Sequence, residues 1–221
     1  MNRNTTPPSP LRSDSRSVQV AASHYQFQEY VDNGRWNSYW HQITETLAFA
    51  PKTVLIVGVG DNIVGKMLAE QGVQVYTFDF DKELHPDFAG DVADIDDVLQ
   101  DNYFDVIVCC QVLEHLPYDR FEDILQQLRL HARNVIISLP YSGIKYKFEI
   151  KLPVIKTLKV NLYIHKFFRK YLFDGQHYWE TGTKGYSKKR VTKSMKKFFT
   201  VKKRFIAPNN LYHLFFVLTE K

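Results

Sequence analysis

The stretch Thr53-Val-Leu-Ile-Val-Gly-Val-Gly-Asp-Asn62 decides the fold. Residues 54–57 form a short apolar run with several β-branched side chains, which is typical of a buried parallel strand. The run breaks at Gly58 and Gly60, and glycines in such a turn let the backbone approach a ligand closely. The stretch therefore predicts a strand that ends in a ligand-binding turn.

A helix and a second strand are predicted after this turn. Residues 63–71 are compatible with a helix that Asp61 or Asn62 caps. Residues 73–78 then predict a strand, and the acid Asp79 follows it directly. An acid at the end of the second strand can accept hydrogen bonds from ribose hydroxyls. Strand, glycine turn, helix, strand and acid together predict a βαβ unit that binds a nucleoside.

The spacing of the glycines indicates which kind of nucleoside fits. In a dinucleotide fingerprint, Gly-x-Gly-x-x-Gly, the third glycine would stand at Ile63, and Asp61 here places a negative charge where a pyrophosphate would sit. A P-loop fails as well, because Met67 follows Lys66 where the motif requires a Ser or Thr. S-adenosylmethionine is a nucleoside with a cationic sulfonium and no phosphate, so an acidic, glycine-lined pocket suits it better.

Four motifs follow one another along the chain: Val57-Gly-Val-Gly60, the acid Asp79, Gly90-Asp-Val92, and Phe104-Asp-Val-Ile-Val-Cys-Cys-Gln-Val-Leu-Glu-His-Leu116. In this order they resemble class I S-adenosylmethionine-dependent methyltransferases, in the broad type 11-like group that acts on small molecules. The resemblance covers residues 36–141, with a weaker match over residues 175–216. It departs from the family's Gly-x-Gly-x-Gly at the last position, which is Asn62 here.

The resemblance implies a Rossmann-like α/β fold. Its sheet would have seven mostly parallel strands and an antiparallel C-terminal hairpin, with an inserted cap after strand five. S-adenosyl-L-methionine would be the methyl donor and S-adenosyl-L-homocysteine the product. On the matching positions, the residues expected to bind this cofactor are Gly58, Val59, Gly60, Asp79, Phe80, Asp91, Val92, Cys110 and Gln111.

Four of these positions have a specific role in the resembling family. Asp79 corresponds to the acid that binds the ribose, and Phe80 to the residue that packs on the adenine. Asp91 and the backbone of Val92 match the positions near the adenine amino group. Cys110 and Gln111 end the fourth and most central predicted strand, where doubly wound sheets bind their ligands, so we expect them near the methionine part of the cofactor.

Four further side chains are candidate catalytic residues. His115 has an imidazole that could take a proton from a nucleophile, although the Glu-His pair could equally serve only to build the turn. Tyr141 at the mouth of strand five is either a positioning hydroxyl or ordinary packing. The loop Gly175-Gln-His-Tyr-Trp-Glu-Thr-Gly182 is dense in reactive groups, and loops of this kind often carry function. There we expect His177 at the acceptor site with Glu180 orienting it, against the alternative of a structural turn.

Aromatic residues recur before the first strand. Tyr39, Ile43 and Leu47 stand at helical spacing, with Trp36 and Trp40 on a neighbouring line, which predicts an amphipathic helix. In the resembling family such a helix often covers the cofactor, and the alternative is that these side chains only pack on the sheet.

Length and composition bound the organisation of the chain. With 221 residues and 44% apolar content it can bury one large core. Residues 1–20 are polar and Pro/Ser-rich, which predicts a disordered arm before a domain of residues 21–221, in which residues 144–185 form the cap or insertion. Because no apolar run approaches about 20 residues and no secretory segment precedes the domain, we expect a cytoplasmic protein without a transmembrane segment.

The two cysteines, Cys109 and Cys110, are adjacent in a predicted strand. Their side chains would point to opposite faces, so we expect reduced core residues rather than a disulfide. No further cysteine and no histidine pair stands at ligand spacing beside them, and the sequence therefore predicts no metal site.

Charge is divided unevenly along the chain. Residues 1–143 hold 10 Lys and Arg against 20 Asp and Glu, whereas residues 144–221 hold 19 against 4. The basic part could bind nucleic acid or an anionic membrane surface, or it could be an ordinary solvated lysine surface. The sequence thus favours a methyltransferase for a small-molecule acceptor. It leaves open an RNA- or lipid-directed methyltransferase and a non-catalytic methyltransferase-like binding protein.

Overall fold

A seven-stranded sheet forms the centre of the molecule. The computed structural model describes residues 22–152, 155–164 and 170–221. Its strands, of which all but β6 and β7 belong to this sheet, are β1 Thr53–Val57, β2 Gln74–Asp79, β3 Phe88–Ala89, β4 Phe104–Cys110, β5 Ala132–Pro140, β6 Ile144–Leu152, β7 Ile155–Ile164, β8 Phe199–Ala207 and β9 Asn210–Glu220. The helices are α1 Phe27–Tyr30, α2 Asn33–Leu47, α3 Ile63–Ala69, α4 Ile95–Leu99, α5 Phe121–His131 and α6 Lys188–Phe198. The N-terminal arm predicted over residues 1–20 lies outside the described residues.

The strand order is β3-β2-β1-β4-β5-β9-β8. The five strands from β3 to β5 pair in parallel, and β9 runs antiparallel between β5 and β8. This order confirms the predicted α/β fold with its mostly parallel sheet and antiparallel C-terminal hairpin. It also makes β4 the central strand, so the carboxyl end of β4 lies at the middle of the ligand-binding edge.

The sheet separates two apolar layers because neighbouring residues of a strand point to opposite faces. Leu55 of β1 and Ile107 of β4 lie on one face, in the cluster that also holds buried side chains of α4, α5 and α6. Ile56 and Val108 lie on the other face, in the cluster with Tyr39 of α2 and buried side chains of α3. These strands are buried on both sides, which explains their continuous apolar sequences.

The helix predicted before the first strand is present as α2, which contains all the residues whose spacing predicts it. It begins after Asp32, whose side chain accepts a hydrogen bond from the Arg35 amide at 2.6 Å and thereby caps α2. Tyr39 is 8% exposed, whereas Trp36 and Trp40 are 49% and 56% exposed. The line of Tyr39 therefore packs on the sheet, and the line of the two tryptophans faces outward.

Two strands after β5 stand apart from the main sheet. β6 and β7 form an antiparallel hairpin in which Ile144 pairs with Ile164 and Leu152 with Ile155. The insertion thus follows strand five, where the sequence places it. Its role as a cap over the acceptor stays a prediction.

At the amino end of the sheet, Asp105 fastens β4 to β1. Its Oδ2 atom accepts hydrogen bonds from the amides of Lys52 at 2.7 Å and Thr53 at 3.0 Å. These bonds hold the pKa of Asp105 below its ordinary value. None of the helices in the described part of the chain is long and apolar enough to cross a membrane.

Candidate active site

A cavity of about 380 Å³ opens at the carboxyl ends of β1, β2 and β4. Its size lies within the range of roughly 300–1,000 Å³ that is usual for small-molecule sites. All nine residues for which the sequence predicts cofactor binding line this cavity, as do His115 and His177. The fold therefore brings the two predicted groups of site residues to one place.

The turn after β1 has the conformation that its glycines allow. Gly58 has φ of +85° and its amide donates to the Phe78 carbonyl at 2.9 Å, which holds the turn against β2. A Cβ atom at Gly58 would lie 2.6 Å from Cγ2 of Val112, so this position excludes any larger residue on two grounds. Asn62, which replaces the family's third glycine, also has a left-handed φ of +55° and stands directly before α3.

Asp79 connects this turn to the end of β2. Its Oδ2 atom accepts from the Val59 amide at 2.7 Å and its Oδ1 atom from the Asp81 amide at 2.9 Å. The carboxylate is 7% exposed, and burial raises its pKa although the backbone donors oppose this shift. Each oxygen of a carboxylate can accept a second hydrogen bond, so Asp79 retains acceptor capacity for a ligand.

Four more of the residues predicted to bind the cofactor line the cavity near the ends of β2 and β4. Phe80 is 45% exposed toward the cavity, and Asp91 caps a short turn by accepting from the Ala93 amide at 2.9 Å. At the end of β4, Cys110 and Gln111 line the cavity, and Gln111 has φ of +57°. The Gln111 side chain donates to the Ser138 hydroxyl at 3.1 Å, which fixes the turn to β5.

The loop before α6 is attached to the turn after β4. The Tyr178 amide donates to the Glu114 carbonyl at 2.9 Å, and the Trp179 indole donates to the Leu116 carbonyl at 3.0 Å. Trp179 is fully buried and packs edge-to-face on Phe121. These contacts place His177 next to His115, with their rings 4.8 Å apart between centroids.

His177 has a chain of polar partners on its outer side. Its Nδ1 atom lies 3.4 Å from Oε1 of Glu180, and the same carboxylate accepts a hydrogen bond from the Tyr212 hydroxyl of β9. Burial lowers the pKa of His177, but the hydrogen bond to Glu180 and the charges of Glu114 and Glu180 outweigh burial and leave the pKa raised. Glu180 itself does not line the cavity and instead supports His177 from behind.

Glu114 differs from the other acids of the cavity. It is fully buried, and neither carboxylate oxygen has a hydrogen-bond partner among the described residues. Burial raises its pKa to about 8, partly opposed by the charge of His177. A group with these properties in a cleft is a candidate for function.

Comparison with known proteins accounts for this arrangement. The methyltransferase domain family matches residues 27–157, which is more than half of the chain. The chain belongs to this family. A comparison with curated protein sequences gives no match.

Solved structures with the same fold include several methyltransferases. The N-methyltransferase NodS from Bradyrhizobium japonicum, in complex with S-adenosyl-L-homocysteine, has a TM-score of 0.59 at 10% identity, over 86% of this chain and 88% of NodS. The glycopeptide N-methyltransferase MtfA, with the same ligand, gives 0.57 at 13% identity over 87% and 91%. The 1,6-didemethyltoxoflavin N1-methyltransferase from Burkholderia thailandensis gives 0.55 at 15% identity over 90% and 88%.

Family and fold confirm the sequence-based recognition of a class I S-adenosylmethionine-dependent methyltransferase, and hence of an enzyme. Of the candidate catalytic residues of this methyltransferase, Tyr141 is the least exposed. Tyr141 is 1% exposed in the apolar core and is not among the residues that line the cavity. Its ring packs against Gly182, where a Cβ atom would lie 3.2 Å from Tyr141 Cε2, so its position favours packing over a role as a positioning hydroxyl.

Several residues of the methyltransferase site have no signal in the sequence. Tyr25 and Tyr30, which precede α2, and Arg35 in the first turn of α2 line the cavity, with the Arg35 guanidinium 3.7 Å from the centre of the Tyr30 ring. Tyr212 reaches the site from β9, the last strand. The aromatic composition of the N-terminal segment could have indicated the first group, but Tyr212 has no motif around it.

Proposed function

We propose that this methyltransferase transfers the methyl group of S-adenosyl-L-methionine to a small-molecule acceptor and releases S-adenosyl-L-homocysteine. One observation carries the proposal: a single cavity is lined both by all the predicted cofactor residues and by the His115–His177 pair. Donor and acceptor would therefore meet inside one enclosed space, which favours in-line transfer.

The cofactor end has the chemistry that an adenosine carrying a sulfonium requires. Asp79 would accept hydrogen bonds from the ribose hydroxyls, with the adenine beside Phe80 and Asp91 and the methionine part near Gln111. Among the described residues that line the cavity, four are aspartic acids (Asp61, Asp79, Asp81 and Asp91), and Arg35 is the counterpart with a permanent positive charge. Such a surplus of negative charge attracts a cationic sulfonium.

The acceptor would lie between the sulfonium and the histidines. His115 and His177 face this position, and Glu180 orients His177 through Nδ1. An acceptor oxygen, nitrogen or carbon then attacks the methyl carbon in line with the carbon–sulfur bond, which breaks as the new bond forms. The sulfonium is already activated, so the main task of the protein is to hold the two reactants in line.

The solved structures support a small acceptor. NodS and the two other neighbours named above are N-methyltransferases, and the toxoflavin enzyme was solved with its small heterocyclic substrate bound. The structural matches to these enzymes extend over most of this chain. The cavity volume of about 380 Å³ is also in the range of sites for small molecules.

Calorimetry with S-adenosyl-L-homocysteine tests the cofactor half of the proposal. Replacing Asp79 by Ala removes two charge-assisted hydrogen bonds, and we expect the dissociation constant to rise about 100-fold. Asp97→Ala is the matched control, because Asp97 is an exposed acid of α4 outside the cavity. The proposal fails if the unmodified protein gives no binding heat, or if Asp79→Ala binds like the control.

A second candidate function is supported by charge alone. Exposed lysines of α6 and β8, including Lys193, Lys196 and Lys202, extend the basic character of residues 144–221 over the surface. An RNA- or lipid-directed methyltransferase would use this face for docking. Its association with RNA or anionic vesicles would weaken steeply between about 50 and 200 mM salt, whereas an ordinary solvated surface would show no association.

A further inference from the structure

The acceptor end of the cavity contains three side chains that could share one cation. The nearest ligand atoms of Glu114, His115 and His177 all lie within 4.8 Å of one another. The two histidines stand 62 positions apart in the sequence and meet only because the loop before α6 is fastened to the turn after β4.

The surroundings of Glu114 point to a positively charged ligand. Both of its oxygens are buried and have no hydrogen-bond partner among the described residues, although the side chain lines the cavity. A buried carboxylate without a partner is strongly destabilising. Asp79 in the same cavity shows the ordinary solution, since each of its oxygens accepts a backbone hydrogen bond.

Each histidine is oriented from its outer side. His115 Nδ1 lies 3.1 Å from the Gln176 carbonyl oxygen, and His177 Nδ1 lies 3.4 Å from the Glu180 carboxylate. When Nδ1 carries the proton and donates to such an oxygen, the lone pair of the neutral ring is on Nε2. Histidines that bind metals are held in this way by a carbonyl or carboxylate.

We propose that Glu114, His115 and His177 bind one divalent transition-metal ion at the acceptor end of the cavity. Two imidazole nitrogens and one carboxylate oxygen form a ligand set that Zn²⁺ accepts with coordination positions left open. The ion gives the buried Glu114 carboxylate the partner that it lacks among the described residues, and both histidines bind the same ion. The sequence-based prediction of no metal site considered only the surroundings of the cysteines, whereas these three residues come from two distant segments.

The ion also gives the acceptor end a chemical role, and this part alone rests on the proposed function. An open coordination position toward the cavity binds an oxygen or nitrogen of the acceptor and fixes it opposite the methyl group. His177 is then a ligand, and Glu180 and Tyr212 position it. Metal binding itself can be measured without any methyl transfer.

The experiment uses the full chain without a histidine tag, freed of metal by a chelator and dialysis. Calorimetric titrations with Zn²⁺, Mn²⁺ and Mg²⁺ should show one ion per chain, bound most tightly for Zn²⁺ and most weakly for Mg²⁺, because imidazole ligands favour zinc. Co²⁺ should give visible d–d absorption typical of nitrogen ligands, which a surface-bound ion would lack.

Variants assign the binding to the three residues. Glu114→Gln, His115→Ala and His177→Ala should each weaken Zn²⁺ binding about 100-fold, and Glu180→Gln should weaken it about 10-fold, as expected for a partner that only orients a ligand. His85→Asn is the control, because His85 is exposed and lies outside the cavity. It should bind Zn²⁺ as the unmodified protein does.

Absence of binding for all three ions, or equal Zn²⁺ affinity in the ligand variants and the control, would overturn the site. Tighter binding of Mg²⁺ than of Zn²⁺ would overturn the assignment to a transition metal. S-adenosyl-L-homocysteine is titrated in parallel, since its residues are separate from the three ligands. Retained binding of this product shows that a variant is folded, so failure of the metal site and failure of the proposed function are distinguished.

Discussion

Two acids near opposite ends of the central strand β4 have opposite surroundings. Asp105 at the amino end accepts hydrogen bonds from two backbone amides, and its pKa is lowered. Glu114, just beyond the carboxyl end, is fully buried without a hydrogen-bond partner among the described residues, and burial raises its pKa to about 8. The carboxyl group at the amino end of β4 is satisfied by the backbone, whereas the one beyond its carboxyl end is left without a partner among the described residues, in a cavity that could hold a ligand.

The largest effect is expected from an alanine at the glycine turn. Gly58→Ala places a Cβ atom 2.6 Å from Val112 Cγ2 in addition to forcing a left-handed φ, so we expect a loss of about 2 to 4 kcal/mol in unfolding free energy. The affinity for S-adenosyl-L-homocysteine should fall at least 100-fold, because the turn must move. Chemical denaturation and calorimetry measure the two quantities.

Gly72 supplies the matched control at the other end of the sheet. It has φ of +81° but no atom within 4 Å of an added Cβ, so Gly72→Ala isolates the conformational effect, about 1 kcal/mol. Cofactor affinity should be unchanged. Equal losses of stability and affinity for the two variants would contradict the proposed difference between the ends.

Replacing Glu114 by Gln should stabilise the metal-free protein. The pKa of Glu114 is about 8 in the folded protein and 4.5 in the unfolded chain, so between these pH values only the folded protein keeps the proton. The free energy of unfolding of the unmodified protein therefore falls as pH rises through this window. At pH 9 in chelator, Glu114→Gln should therefore be more stable by about 2 kcal/mol, with a much smaller difference at pH 4. Urea denaturation at both pH values gives the answer, and a destabilised variant at pH 9 would show that Glu114 has a partner after all.

Asp105→Ala should act in the opposite direction. Loss of the hydrogen bonds between β4 and the start of β1 is expected to destabilise the protein by about 1 to 2 kcal/mol at pH 7 while leaving cofactor affinity unchanged. Because the pKa of Asp105 is depressed, its contribution is present above the unfolded pKa near 4 and is lost as pH falls through the folded pKa. The difference in unfolding free energy between variant and unmodified protein should be smaller at pH 3 than at pH 7, and an equal difference at both pH values would count against this assignment.

The smallest effect is expected at the exposed ion pair between Arg133 and Glu220. Their side chains are 68% and 45% exposed at an Nε–Oε1 distance of 2.7 Å, so Arg133→Ala should change the unfolding free energy by at most about 0.5 kcal/mol. Thermal denaturation in low and high salt checks this value. A larger loss that salt does not reduce would mean that Arg133 contributes by packing rather than by charge.

The carboxyl end of the sheet could be predicted in detail where its residues are local in sequence. β1, its glycine turn and Asp79 lie within 27 positions, and strand patterns and turn chemistry act over such short distances. For the same reason the predicted strand that ends near Cys110 is found as β4, Phe104–Cys110. The fold class followed, because these elements and the C-terminal hairpin permit few topologies.

The acceptor end depends on contacts between distant segments, and these have no local signature. His115 and His177 were each proposed separately, but their contact results from the burial of Trp179 against Phe121 and from backbone bonds of the loop. The outward position of Trp36 and Trp40 likewise depends on Tyr39, which faces the sheet and donates to Asp61 at 2.6 Å. Helical spacing alone defines the lines of side chains but not which line faces the core.

The position of β9 between β5 and β8 determines when the sheet can be completed during translation. Until residues 210–220 leave the ribosome, β5 has an open edge and β8 has no neighbour in the sheet, so the nascent parallel core waits with unpaired backbone groups. Completion of the sheet also delivers Tyr212 to Glu180. The contact that supports His177 from Glu180 therefore forms only at the step that closes the sheet.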